Sequence, residues 1–225
     1  MDRYSKPERK TFMRQPLALG RLAMACLALV TLAGLSACEG GSGFLGSWKQ
    51  AAGQRFHAID ITGANYAQGF RLRDTQGQVR QLSDFKGKVV FVFFGFTQCP
   101  DVCPTTMAEL AEVRERLGSV GQDVQGVFIS IDPERDTPQV LQAYVQALDP
   151  SLVGLTGSPE EIKAAARDFK IFFQKVPTQD GQSYSMDHTA MSYVFDRAGQ
   201  VRLAVRYGQS VDALTEDLRQ LLSER

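Results

Sequence analysis

The chain of 225 residues lacks three features that would each point to a familiar class of protein. The uncharged apolar run from Leu22 to Cys38 is shorter than the about 20 residues that a membrane-spanning helix needs. No block rich in lysine and arginine follows residue 21, and the formal net charge is zero, so the composition does not favour nucleic-acid binding. Thiols are scarce, because only four cysteines occur.

The first 37 residues have the pattern of an export signal. Six basic and two acidic residues occupy positions 1–21, and an apolar segment with small residues at its end follows. The last four residues of that segment, Leu35 to Cys38, resemble the lipobox of bacterial lipoproteins, where the signal is cut before the cysteine and the sulfur is joined to a lipid. An uncleaved membrane anchor is the alternative. Both interpretations place the folded part on the extracytoplasmic (periplasmic) face of the membrane and tether it there.

Removal of residues 1–37 changes the charge and the cysteine inventory. Of the 25 basic and 25 acidic residues, 19 and 23 remain, which gives a net charge of −4. Cys26 is lost with the signal and Cys38 is the lipidation candidate, so Cys99 and Cys103 are left as free thiols in a compartment that favours disulfides. Residues 38–58 are rich in glycine and lack periodicity, which predicts a flexible tether before a domain at 59–225.

Strands and helices are predicted to alternate through that domain. Two apolar runs, 89–96 and 124–132, read as strands buried on both faces, and hairpins are predicted at 68–83 and 192–207. A capping box of Thr106 and Glu109 predicts a helix after the second cysteine. The further helix signals are Thr137-Pro138 before the stripe Val140, Leu141, Tyr144, Val145 and Leu148, then Ser158-Pro159 with Glu161, and the closing stripe Val211, Leu214, Leu218 and Leu221.

The alternation predicts an α/β fold with a central mixed sheet flanked by helices and an N-terminal β-hairpin. Paired cysteines at the end of an early strand, together with a terminal β-β-α unit, indicate the thioredoxin-like class.

The pair Cys99 and Cys103 allows three interpretations. A disulfide between them would close a very small loop and stabilise the fold by only about 2 kcal/mol, which disfavours a structural bridge. A thiol–disulfide exchanger would use one cysteine near a helix N-terminus, where the dipole favours the thiolate. Thioredoxins, however, have a cis-proline before the final hairpin, whereas the last proline here is Pro177 and His188 stands near that place.

The third interpretation is a metal site. Two thiolates and an imidazole make a soft set of few ligands that suits copper, whereas structural zinc usually takes four protein ligands. Asp132, at the end of a strand, and Asp187, beside the histidine, are candidates for orienting a ligand from outside the coordination sphere. Solvated or capping carboxylates are the alternative for both.

Five stretches resemble the Sco/SenC family, the copper-binding assembly factors of cytochrome c oxidase. They are "DITGANY", "DFKGKVVFVFFGFTQCPDVCPTTMAEL", "SIDPERDTP", "GLTG" and "DHTAMSYVFDRAG", and together they cover nearly the whole domain from about residue 60. The resemblance implies a thioredoxin-like fold in which Cys99, Cys103 and His188 bind one copper ion. It also implies delivery of that ion to the binuclear copper site of oxidase subunit II.

The resemblance leaves two functions open, because family members have also been proposed to reduce the cysteines of the oxidase site. We therefore expect a membrane-tethered copper chaperone, with an extracytoplasmic thiol–disulfide oxidoreductase as the alternative. The thiols would tend to oxidise outside the cytoplasm, so a thioredoxin-like reductant is an expected partner. Another periplasmic copper carrier is a further expected partner.

Overall fold

Strands and helices alternate along residues 55–224, the part of the chain that the computed structural model describes. The predicted signal, Cys38 and most of the predicted tether lie outside it. The strands are β1 (Ile59–Asp60), β2 (Arg71–Asp74), β3 (Val79–Gln81), β4 (Val89–Gly95), β5 (Val124–Ser130), β6 (Val153–Thr156), β7 (Phe173–Pro177), β8 (Tyr184–His188), β9 (Met191–Phe195) and β10 (Val201–Arg206). The α-helices are α1 (Val102–Arg116), α2 (Pro138–Leu148), α3 (Pro159–Asp168) and α4 (Val211–Ser223).

A mixed sheet forms the centre of the domain, with the strand order β1-β10-β9-β4-β5-β6-β2-β3. The pairs β4–β5 and β5–β6 are parallel, and β4 pairs with β9 antiparallel. Every residue of β4 is buried, as its continuous apolar run predicted, because the strand lies inside the sheet and is covered on both faces. The predicted α/β architecture with a mixed sheet is confirmed.

Both predicted hairpins form. The N-terminal hairpin pairs β2 with β3, and the second pairs β9 with β10, each antiparallel. Their turns contain Gly77 at φ +80° and Gly199 at φ +82°, a left-handed conformation that glycine adopts without steric cost.

Helix α1 begins earlier than predicted, and this matters for the cysteines. Its first residue is Val102, so Cys103 lies inside the first turn and the capping residue is Asp101. Thr106 is buried within the helix and donates its hydroxyl to the Val102 carbonyl oxygen at 2.7 Å, so the predicted capping box with Glu109 is wrong. The capping pattern was misleading because the helix already has a face, including Cys103, to bury in the core.

The helix starts at Thr137 and Ser158 are confirmed. The Thr137 hydroxyl accepts the amide of Val140 at 3.3 Å, and Ser158 forms a reciprocal capping box with Glu161. One predicted core position of α2 is wrong, since Val140 is 43% exposed. The buried stripe of this helix is centred on Leu141 and Val145, and Val140 lies beyond its edge.

The packed domain begins before the predicted boundary at residue 59. Phe56 and Ala58 are buried, although both were assigned to the tether. The buried Asp217 carboxylate of α4 accepts the backbone amides of His57 and Ala58 at 2.7 and 2.8 Å. Between residues 55 and 224, no helix is both long and apolar enough to cross a bilayer.

Strands β7 and β8 form a separate antiparallel ribbon. In its register Phe173 lies opposite His188, and Gln174 lies opposite Asp187. Because successive residues of a strand point to opposite faces, His188 and Asp187 project from different sides of the ribbon.

Candidate metal centre

The two cysteines lie where the central strand passes into helix α1. Both are free thiols; Cys103 is fully buried and Cys99 is partly exposed. The backbone amide of Cys103, in the first turn of α1, lies 3.3 Å from the Cys99 sulfur and donates to it. The unpaired amides of a helix N-terminus therefore face the more exposed sulfur.

Gly95, the last residue of β4, leaves room for the buried thiol. A Cβ atom at this position would lie 3.0 Å from the Cys103 sulfur and 2.9 Å from two ring carbons of Phe128. Only a residue without a side chain lets strand, sulfur and ring approach this closely. This role of Gly95 was not recognised from the sequence.

His188, the last residue of β8, reaches the cysteines across the fold. Its Nε2 atom lies 3.9 Å from the Cys103 sulfur, while its Nδ1 atom lies 3.2 Å from the Thr189 carbonyl oxygen. A carbonyl oxygen can only accept, so Nδ1 carries the proton and the lone pair of Nε2 faces the sulfur. The ring packs edge-on against Phe93 and Phe96, each with its centroid 6.0 Å away, so one side of the imidazole lies against the apolar core.

The two thiols differ strongly in acidity. The hydrogen bond with Cys103 lowers the pKa of Cys99 to about 4 against the effect of burial, and the backbone amides of Cys103 and Asp101 act in the same direction. The same bond to Cys99, together with burial, raises the pKa of Cys103. The metal-free site therefore holds one thiolate, on Cys99, beside one buried thiol.

The donor atoms of the site fit a soft metal ion. Bonds of about 2.3 Å to sulfur and about 2.0 Å to nitrogen, meeting at a trigonal angle, span a sulfur–nitrogen distance close to the observed 3.9 Å. Within the described range, no three or more His, Cys, Asp or Glu side chains form a group that could hold a metal ion as they stand. The Cys103 sulfur and the His188 Nε2 atom are thus close enough for one ion to bind both, whereas Cys99, Cys103 and His188 together do not form a complete site.

Asp136 anchors the loop that carries Cys99. It is buried, and it accepts hydrogen bonds from the Thr97 hydroxyl at 2.6 Å, the Thr97 amide at 3.1 Å and the Ser130 hydroxyl at 2.6 Å. Burial raises the pKa of this carboxyl. It was missed in the sequence, although an acidic residue soon after a buried strand was the signal that singled out Asp132.

The two aspartates named as orienting candidates occupy different positions. Asp132 is buried and accepts the Tyr184 hydroxyl at 2.9 Å, so it acts on the strand that carries His188 and makes no hydrogen bond to the imidazole itself. Asp187 is exposed on the opposite face of that strand. Among the described residues it has no hydrogen bond to His188 through its side chain.

Matches to known proteins agree with this fold. The SCO1/SenC family model matches residues 60–223, and the chain belongs to this family. A SCO2-like protein of Rickettsia felis is 39% identical over 132 residues, which are 58% of this chain and 64% of that protein. The matched region is thus less than two thirds of that relative's length.

Solved structures of Sco proteins share the fold. ScoI of Bradyrhizobium japonicum, solved with copper bound, is 40% identical with a TM-score of 0.61, over 68% of this chain and 97% of that one. BsSco, described as a member of the Sco family of cytochrome c oxidase assembly proteins, has a TM-score of 0.56 over 75% of this chain and 99% of its own. Its identity of 24% supports the fold alone. The predicted thioredoxin-like class is confirmed by these neighbours.

Proposed function

We propose that the protein binds one copper ion through the sulfurs of Cys99 and Cys103 and the Nε2 atom of His188. The single observation that carries this proposal is the imidazole, whose Nε2 faces the Cys103 sulfur at 3.9 Å while Nδ1 is held by a backbone carbonyl. A ring so oriented presents a lone pair to the thiols, as a metal ligand must. The copper-bound ScoI of Bradyrhizobium japonicum supports copper as the ion.

The copper is cargo for the assembly of the binuclear copper site of cytochrome c oxidase subunit II. Three protein ligands leave a position free, so a thiolate of the acceptor can add to the ion before the chaperone's own ligands leave. Partial exposure of Cys99 gives the acceptor access, while Cys103 remains buried. Membership of the SCO1/SenC family supports the oxidase as the partner.

Delivery takes place at the extracytoplasmic face of the membrane. The pattern of residues 1–38 supports an export signal and a lipid on Cys38, with a glycine-rich tether leading to the domain. In that compartment a thioredoxin-like reductant keeps Cys99 and Cys103 reduced, because copper binding requires both thiols. A second periplasmic copper carrier supplies the ion.

Titration of the reduced full chain with copper(I) against a competing chelator tests the assignment. We expect one ion per chain, and we expect His188→Ala to weaken binding by at least about tenfold because one of three ligands is lost. His57→Ala is the matched control, since the only other histidine of the chain is exposed and its Nε2 atom contacts the Glu216 carboxylate at 2.7 Å. This control should bind copper as the natural protein does.

The acidity of Cys99 favours a second function, thiol–disulfide exchange. A partly exposed thiolate beside a buried thiol is the arrangement of an attacking and a resolving cysteine. The same His188→Ala variant separates the two functions. A chaperone loses copper affinity while its cysteines still cycle between thiol and disulfide, whereas full copper affinity combined with lost reductase activity toward a disulfide substrate would refute the chaperone.

A further inference from the structure

A mostly buried arginine joins the two segments that carry the proposed ligands. Arg135 lies in the loop after β5, and its side chain is only 16% exposed. Its Nη1 atom donates to the Gln98 side-chain oxygen at 3.0 Å and to the Tyr184 carbonyl oxygen at 2.6 Å. Gln98 precedes Cys99, and Tyr184 begins the strand that ends at His188, so one guanidinium contacts both segments.

Asp132 completes a cluster with Arg135 and Tyr184, which we call the clamp. One of its carboxylate oxygens accepts Nε of Arg135, and the other accepts the Tyr184 hydroxyl at 2.9 Å. The guanidinium carbon also lies 3.7 Å from the centre of the Tyr184 ring, within the range of cation–π attraction. Tyr184 is therefore held through its carbonyl, its hydroxyl and its ring.

The ribbon of β7 and β8 needs such an anchor. Its two strands pair only with each other within the described part of the chain, and an isolated two-stranded ribbon is marginally stable in water. Four of the five residues of β7 are exposed. The position of His188 relative to the cysteines therefore depends on what holds the ribbon to the rest of the domain.

One group of this arginine has an unfavourable environment. Its Nη2 atom is buried and has no hydrogen-bond partner among residues 55–224. A buried donor without an acceptor costs stability, so the guanidinium is poorly explained by stability alone.

We propose that Arg135, with Asp132 and Tyr184, is a positioning residue that holds the imidazole of His188 over the two thiols. The inference rests on the proposed copper function and deepens it. Arg135 makes no hydrogen bond to Cys99, Cys103 or His188; it acts through the register and orientation of β8. A change in the clamp should therefore lower copper affinity when His188 is present and should have no effect when His188 has been replaced.

Two conservative variants, Arg135→Lys and Tyr184→Phe, test the clamp without leaving a buried charge unpaired. Arg135→Ala would leave the Asp132 carboxylate buried without its cation, a change that endangers folding. Arg135→Lys retains the charge but cannot reach Asp132 and the Tyr184 carbonyl at the same time. Tyr184→Phe retains the ring and removes only the hydroxyl. Arg71→Lys is the matched control, because the same substitution is made at an exposed arginine of β2, a strand outside the ribbon.

The first measurement is copper(I) affinity of the reduced full chain in the natural and the His188→Ala background. We expect Arg135→Lys to weaken binding about tenfold, Tyr184→Phe about threefold, and Arg71→Lys less than twofold. In the His188→Ala background the first two variants should have no further effect, because residues that act through one another are not additive. The second measurement is amide hydrogen exchange of the metal-free chain, which should become faster at 184–188 in both clamp variants and stay unchanged in β4 and β5.

Two results would overturn the proposal. The first is equal weakening with and without His188, which would show that Arg135 does not act through the imidazole. The second is unchanged copper affinity in Arg135→Lys, whatever the exchange rates. If the His188→Ala variant binds copper as tightly as the natural chain, the proposed function itself fails. The amide exchange rates alone then decide whether Arg135 holds the ribbon.

Discussion

At the scale of single residues, the chemistry of this domain follows from a difference in environment between two identical side chains. Cys99 sits before α1, partly exposed, and accepts the amide of Cys103. Cys103 sits inside the first turn, fully buried behind Gly95 and Phe128. The hydrogen bond from Cys103 and the helix terminus therefore stabilise a thiolate on Cys99, while the bond to Cys99 together with burial keeps a proton on Cys103.

Alkylation of the reduced, metal-free chain by iodoacetamide measures this difference. With the pKa of Cys99 at about 4, its thiolate population is already complete above about pH 6, so its rate should be flat from pH 6 to 8. An ordinary thiol gains about tenfold in rate per pH unit over the same range. Cys103, whose pKa is raised, should react slowly throughout.

Site-resolved mass spectrometry assigns each rate to its cysteine. Protein unfolded in urea is the control, in which both residues should follow the ordinary profile. A folded Cys99 whose rate climbs about tenfold per pH unit would contradict the assigned thiolate.

At the scale of elements, two segments at the periphery of the domain are each attached to it by a charged side chain. These segments are the β7–β8 ribbon and the residues before β1. The ribbon is attached by the clamp of Arg135. Helix α4 holds the start of the domain, because the Asp217 carboxylate accepts the amides of His57 and Ala58 and the side-chain amide of Gln209 at 3.1 Å. In both cases a buried charged side chain satisfies backbone or side-chain groups of a distant segment.

Replacement of Asp217 by asparagine should destabilise the domain. The new amide nitrogen would face donors in a buried site, so we expect a loss of about 2–3 kcal/mol in the free energy of unfolding. Glu216→Gln is the control one residue earlier, since its side chain is 64% exposed and its contact with His57 should contribute less than about 0.5 kcal/mol. Urea unfolding compares the two, and equal midpoints would refute the anchoring role of Asp217.

At the scale of the whole molecule, the proposed function combines a copper-binding domain with a predicted export signal that would keep the protein at the membrane. The proposed ligands lie in the domain, whereas the predicted signal occupies residues 1–37 and the predicted lipid site is Cys38, both outside the part of the chain that the structure describes.

Replacement of Cys38 by alanine tests how the protein is tethered. If the cysteine carries the lipid, the Cys38→Ala protein should leave the membrane fraction or persist as an unprocessed precursor, because the sulfur that anchors it is gone. Fractionation of cells, with intact mass of the purified chain, checks this. Cys26→Ala is the control, since that cysteine would be removed with the predicted signal. A Cys38→Ala protein of natural mass and membrane content would instead support the uncleaved anchor.

Patterns that depend on near neighbours were correctly predicted from the sequence. The buried strands followed from continuous apolar runs, the turns from glycine, and the starts of α2 and α3 from Thr137 and Ser158. The start of α1 was mispredicted because Thr106 fits a cap locally, whereas core packing brings Cys103 and the turn before it into the helix. Val140 was mispredicted for a similar reason, since the helix face is set by what it packs against.

The sequence by itself determined the class of fold, the order of its helices, hairpins and two buried central strands, and the residue types that a soft metal would need, but it did not reveal the ribbon that carries His188. Only the tertiary structure decided which of them meet, because Cys103 and His188 are 85 positions apart and no local rule relates them. It also revealed Gly95, Asp136 and the Arg135 clamp, whose roles arise from contacts between distant segments. Local propensity acts over a few residues, whereas a binding site is assembled by the packing of the whole domain.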